Sequence, residues 1–207
     1  MGRILLTGFG PFPGVQVNAT GELVPRLARA ARRRFASHSV STAILPTEWV
    51  RGPARARAAF ERAQPTLVLH FGVSDRARGF VVERRGVNAC VMAADGVGAM
   101  PASLVLNEIG RKRRRVTLPV PTIVRRLQEL GLPAEASDDA GQYLCNAVLY
   151  QSLGLMEGAG MVGFVHLPSA LADDHGEGAL TIEQALAGSL AILDVCLHMR
   201  APLWLPR

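Results

Sequence analysis

The stretch Ala134-Glu135-Ala136-Ser137-Asp138-Asp139-Ala140-Gly141-Gln142-Tyr143-Leu144-Cys145-Asn146 begins as a short strand-like segment, turns at an acidic glycine-containing bend and opens a helical pattern that continues to Leu153. The same alternation recurs outward in both directions. Apolar runs of four to seven residues alternate with segments of helical periodicity, which is the signature of an α/β domain with a largely parallel sheet. Predicted strands cover Arg3 to Thr7, Ser39 to Leu45, Thr66 to Phe71, Arg115 to Leu118, Ala134 to Ser137 and Met161 to His166. Predicted helices cover Thr20 to Phe35, Val50 to Arg62, Thr122 to Leu130, Gly141 to Leu153 and Thr181 to Met199. Gly79 to Met92 reads as a strand pair or an excursion. No repeat or low-complexity linker interrupts the chain, so a single domain over residues 1–207 is expected.

Ligands of open parallel sheets bind beyond the carboxyl ends of the strands. Phe9 follows the first strand, Gly72 the third and Asp139 the short strand before Cys145, while His166 closes the last. Cys145 is the most informative of the chemistry-bearing residues. A thiol at the start of a helix faces the positive end of the dipole, which favours thiolate. Cys196 sits mid-helix among aliphatics and Cys90 lies beyond a strand-like segment; neither follows a glycine-led helix start, and both read as inert core thiols. His166 and Glu83, the latter inside Phe80-Val81-Val82-Glu83-Arg84, supply the base and carboxylate that a thiolate nucleophile needs. His70 closes the run Thr66-Leu67-Val68-Leu69 and competes with His166 by position. Position alone does not choose between them.

At 207 residues, 49% hydrophobic and 19% charged, the composition describes a soluble globular protein with a substantial core. No apolar stretch approaches the ~18 to 20 residues that span a bilayer, and no membrane association is expected. The apolar run at Ile4-Leu5-Leu6 is too short for a secretory signal. Three cysteines lack framework spacing, and a nucleophilic thiol must stay reduced, so the cytoplasm is the expected compartment. Neither a Cys-x-x-Cys nor a His-Glu-x-x-His spacing occurs, so no metal and no cofactor is expected. The formal charge of +6 is concentrated in Arg111-Lys112-Arg113-Arg114-Arg115 and in Arg26, Arg29, Arg32, Arg33 and Arg34. No aromatic residue interleaves with the first run, so both read as solvated faces with no specific nucleic-acid partner. Such a surface retains polyanions weakly at low salt.

Gly8-Phe9-Gly10-Pro11-Phe12-Pro13-Gly14 resembles a phosphate loop only superficially. A dinucleotide fingerprint wants a third glycine where Pro13 stands, and Pro11 and Pro13 each remove a backbone donor. A stiff loop that presents Phe9 and Phe12 as apolar walls is the better reading.

Taken together, these segments resemble the pyroglutamyl peptidase I family, cysteine peptidases that remove an N-terminal pyroglutamate from peptides. Thr7-Gly8-Phe9-Gly10-Pro11-Phe12 with Asn18 is similar to the family's Thr-Gly-Phe-x-Pro-Phe opening and downstream asparagine. Glu83-Arg84 with Asn88 resembles its Glu-Arg-x-x-x-Asn element. Ala140-Gly141-Gln142-Tyr143-Leu144-Cys145-Asn146 and Gly163-Phe164-Val165-His166-Leu167-Pro168 resemble its nucleophile and histidine motifs. The resemblance implies Cys145 as nucleophile, His166 as base and then acid, and Glu83 as the carboxylate that orients the imidazole. It also implies a three-layer α/β/α sandwich, no metal and a homo-oligomer, dimer or tetramer.

The sequence departs from the family in three places. Val73 stands where the family has a lactam-binding glutamine, Cys90-Val91-Met92-Ala93-Ala94-Asp95 replaces a stretch containing an arginine and an isoleucine, and Ser74-Asp75-Arg76-Ala77 replaces a Gly-Gly-Arg pattern. Losing a hydrogen bond to a neutral ligand group costs about 1 kcal/mol, and roughly 1 to 3 kcal/mol if a partner is left dry. Substrate identity is therefore the open question, while the hydrolytic residues are intact. Phe9, Phe12 and Tyr143 are expected to wall a flat lactam, and Asn18 to pair with its edge. The rival readings are a cysteine amidohydrolase acting on another small acyl or cyclic amide, and a non-catalytic binder whose basic face docks an acidic partner.

Overall fold

The computed structural model describes residues 2–12, 17–158, 160–169, 171 and 180–198. Its elements, in chain order, are β1 (Arg3–Phe9), α1 (Ala19–Arg34), β2 (Ser39–Leu45), α2 (Arg51–Ala63), β3 (Leu67–Ser74), β4 (Phe80–Glu83), β5 (Arg85–Val87), β6 (Arg113–Arg115), α3 (Val120–Glu129), β7 (Ala134–Ser137), α4 (Leu144–Met156), β8 (Met161–Pro168) and α5 (Ile182–His198). A six-stranded sheet has the order β2-β1-β3-β8-β4-β7, and β5 pairs with β6 in a separate ribbon. The chain is α/β with a mostly parallel sheet, as its alternating pattern predicts.

Strand alternation sorts the side chains into two cores. Ile4, Leu6, Leu67, Leu69, Phe71 and Val165 pack with α1, α3 and α5 on one face. Leu5, Val68, Val162 and Phe164 pack with α2 and α4 on the other. Helices therefore cover both faces, which gives three layers. The central strands β1, β3 and β8 are buried nearly throughout, which is why they read as continuous apolar runs rather than alternating ones. α4 is apolar on almost every side because the sheet, α2 and the β5–β6 ribbon enclose it. No described helix is long and apolar enough to cross a membrane.

Two expectations are corrected and one left open is resolved. The predicted strand from Arg115 to Leu118 is displaced to Arg113–Arg115, and it belongs to the ribbon; Thr117 is only tied to Val162 by single hydrogen bonds. Gly79 to Met92 divides between the main sheet and the ribbon, as β4 and β5. β4 runs antiparallel to β8, and β7 parallel to β4. Consequently β7, the strand before Cys145, does not end at the shared edge. Its last residue, Ser137, pairs with Glu83, one step beyond the Val82–Val165 pair. The connector after β7 must carry the chain back to the start of α4, and Gly141 supplies the left-handed step at φ +71°. Met199, the expected end of the last helix, lies outside the described residues.

Candidate active site

Cys145 is the second residue of α4. Tyr143 caps the helix with extended backbone, and no side chain bonds the first turn, so the free N–H groups there remain available to a ligand oxygen. The thiol sits against Gly72 of β3. A Cβ at position 72 would lie 3.0 Å from the sulfur and 2.7 Å from the Phe164 ring, so a glycine is required for the sulfur to approach the sheet. Gly72 is in register with His166 on β8. The sulfur, the glycine and the imidazole thus meet at one edge.

His166 Nδ1 lies 2.8 Å from Glu83 Oε1, and the Cys145 sulfur is the other group that acts on the imidazole. Glu83 is 1% exposed and His166 7%. The second carboxylate oxygen has no partner among the described residues, so the imidazole is the main compensation for a buried charge. Burial pulls the His166 imidazole towards neutrality, but the Cys145 sulfur and then Glu83 outweigh it and push its pKa up to about 10. His70 is placed differently. Its Nδ1 is 2.6 Å from the Thr7 hydroxyl, no carboxylate reaches it, and burial lowers its pKa to about 3. Of the three thiols, Cys145 is partly exposed whereas Cys90 and Cys196 are buried. Burial raises both of the latter, Cys196 to about 12.

The family model for pyroglutamyl peptidase matches residues 2–198. The chain belongs to the pyroglutamyl peptidase family. It is 33% identical over 202 residues to a pyrrolidone-carboxylate peptidase of Gloeobacter violaceus, covering 93% of this chain and 96% of that one. A Klebsiella pneumoniae pyrrolidone-carboxylate peptidase is also 33% identical over 201 residues, covering 93% and 92%. Among solved structures, Bacillus amyloliquefaciens pyroglutamyl peptidase I superposes with a TM-score of 0.85 at 25% identity, covering 96% of this chain and 98% of the other.

The four residues expected to contact substrate are dispersed in role. Phe9 is 2% exposed and packs against Phe164, 6.4 Å between ring centroids; it fills core beneath the edge. Phe12 is half-buried, and Pro13 and Gly14 of its loop lie outside the described residues. Asn18 caps α1, its amide oxygen accepting from the Thr20 N–H at 3.1 Å and the Thr20 hydroxyl at 2.7 Å. That cap engages the oxygen, and the amide nitrogen makes no hydrogen bond among the described residues. Tyr143 does stand as a wall beside Cys145, its ring edge-on to Trp49 at 5.0 Å.

Trp49, Asp95 and Asn146 are the residues that sequence reasoning missed. The Asp95 carboxylate is 4% exposed and accepts from the N–H groups of Trp49, Val97 and Ala99 at 2.8, 3.0 and 2.9 Å. Burial would raise its pKa, yet these backbone hydrogen bonds prevail and hold it below the usual carboxylate range. The Trp49 indole donates to the Ala93 carbonyl at 2.8 Å and the Tyr143 hydroxyl to the Ala94 carbonyl at 3.0 Å. Asp95 therefore locks the replaced stretch onto the aromatic wall. Its signal was an aspartate before Gly96-Val97-Gly98, the pattern of an Asx turn. Asn146 is fully buried and binds the Val87 N–H at 2.8 Å and the Val87 and Ala89 carbonyls at 2.9 Å. It couples the first turn of α4 to the chain leaving Glu83. Val73 pairs with Leu167, which packs on the α1, α3 and α5 side. Alternation puts the Val73 side chain on that face, away from the sulfur.

Proposed function

We propose that this protein is a cysteine peptidase that removes N-terminal pyroglutamate from peptides through Cys145, His166 and Glu83. The observation that carries the reading is a buried carboxylate 2.8 Å from an imidazole that shares its sheet register with Gly72, the residue against which the helix-start sulfur packs. In this reading the Cys145 thiolate attacks the carbonyl that joins pyroglutamate to the next residue. Uncapped N–H groups at the start of α4 stabilise the oxyanion. His166 donates its proton to the departing amine and then removes one from the water that hydrolyses the thioester. Glu83 holds the ring in place and favours its charged form throughout.

The lactam has two flat apolar faces and one polar edge. Tyr143 and Trp49 supply a flat wall, with Phe12 and the Asn18 amide kept as further candidates for substrate contact. The protein is read as a single domain, cytoplasmic because its nucleophile must stay reduced, and as a homo-oligomer because the family resemblance implies one. A panel of fluorogenic pyroglutamyl and aminoacyl amides tests the proposal. Turnover confined to the pyroglutamyl amide and abolished in Cys145→Ala is the expected result. Equal turnover by Cys145→Ala would remove the nucleophile, and preference for another cyclic or acyl amide would keep the machinery while changing the substrate. The altered stretch between Cys90 and Asp95 makes that second outcome worth measuring.

A further inference from the structure

The run Arg111–Arg115 is largely exposed. Its last three residues form β6, which pairs antiparallel with β5 and sets Arg85 opposite Arg115. The ribbon, the residue after Glu83 and the last turn of α4 enclose a groove of about 950 Å³. Arg84, Arg85, Arg111, Arg113, Arg114 and Arg115 line it, against two acids, Asp138 and Glu157. Asp138 is shared by Arg84 at 3.1 Å and Arg85 at 3.9 Å. Arg111, Arg113 and Arg115 have no acidic partner among the described residues.

Stability of the fold accounts for only part of this cluster. Arg114 lies over the Tyr150 ring at 4.3 Å and donates to the Tyr150 carbonyl at 3.0 Å, so it serves α4. Its neighbours Arg113 and Arg115 line the groove without such a bond to α4 among the described residues. Like charges directly across an antiparallel pair are destabilising, which is the situation of Arg85 and Arg115. An anion in the groove removes that cost.

We propose that this groove docks single-stranded nucleic acid by its phosphates, without reading its bases. Nucleic-acid interfaces are much more positively charged than protein–protein ones. A face of mutually repelling arginines is a poor self-complementary contact between two copies of the chain. No aromatic residue among the described ones lines the groove, so contact is to phosphates alone, which carry no sequence information. A concave channel also fits a flexible single strand better than a rigid duplex. The groove lies by the carboxyl end of α4, and from Cys145 to Glu157 the helix rises about 18 Å. Docking therefore leaves the catalytic edge open.

The test is fluorescence anisotropy of a labelled oligothymidylate, titrated with salt, on the full-length protein. Arg111→Gln, Arg113→Gln and Arg115→Gln combined should lower the slope of log affinity against log salt by about 2, at roughly 0.7 per phosphate, and weaken binding about tenfold or more. Arg29→Gln, Arg33→Gln and Arg55→Gln combined remove as many exposed charges from α1 and α2 and should leave binding unchanged. Amidase turnover should be unaffected in both variants, which also reports that they fold. Unaltered binding in the groove variant, or an equal loss in the helix variant, overturns the proposal. So does tighter binding of poly-glutamate than of the oligonucleotide, which would make the partner an acidic protein.

Discussion

His70 and His166 occupy neighbouring strands on the same face of the sheet, on either side of Phe164, with ring centroids 6.1 and 4.7 Å from it. Both are buried, and burial drives both imidazoles towards neutrality. One carries a pKa of about 3 and the other about 10. The first meets a neutral hydroxyl and the second a sulfur and a carboxylate. Proximity to the edge of the sheet therefore does not make a base; the charged partner does. The two also act on stability in opposite pH windows. Between about 3 and 6.5 the unfolded chain protonates His70 and the folded chain does not, so stability falls as pH drops through that range. From 6.5 to about 10 the folded chain keeps the His166 proton, a contribution complete below 6.5 and lost as pH rises through 10.

Removing the charge that separates them should have the largest effect. Glu83→Gln retains the shape of the partner and should lower kcat by about 10²- to 10⁴-fold. The alkaline limb of both rate and stability should move to lower pH. An unchanged pH profile would mean that the carboxylate does not govern His166. Gly72→Ala comes next, because its Cβ meets the sulfur and the Phe164 ring that floors both histidines. Overpacking of this kind costs about 1–3 kcal/mol, to be seen as a lower Tm together with slower alkylation of Cys145. A variant that alkylates at the normal rate would show that the sulfur does not need the gap. In the unmodified protein, limiting iodoacetamide should label Cys145 well before Cys90 and Cys196, as peptide mass analysis of the alkylated protein would reveal. Equal labelling of the three would show that neither exposure nor His166 sets the thiol apart.

The local chemistry of this site was legible in the sequence, and its assembly was not. Cys145 at a helix start and His166 near the end of a buried strand follow from periodicity and glycine placement. Which histidine meets Glu83 depends on β4 running against β8, and a four-residue strand carries no local mark of its direction. The same limit hid the groove. Arg84 and Arg85 become neighbours of Arg113 and Arg115 only through the β5–β6 pairing, and a charge run by itself does not announce a strand. Asp95 was missed for a different reason. Its role is to satisfy backbone N–H groups, and only the loop geometry decides which of them need a partner.

The smallest expected effect is at His70. His70→Gln keeps a polar group near Thr7 and removes the only titrating atom, so kcat and the alkaline limb should be unaltered. The acid limb of Tm against pH should flatten between about 6.5 and 3, because neither state then takes up a proton at this position. The change is confined to stability because the described hydrogen bond of the ring is to Thr7 and not to the sulfur or the carboxylate. A loss of turnover comparable to that of Glu83→Gln, with the fold intact, would mean that both imidazoles serve the reaction and that a neutral neighbour is enough to make a histidine catalytic here.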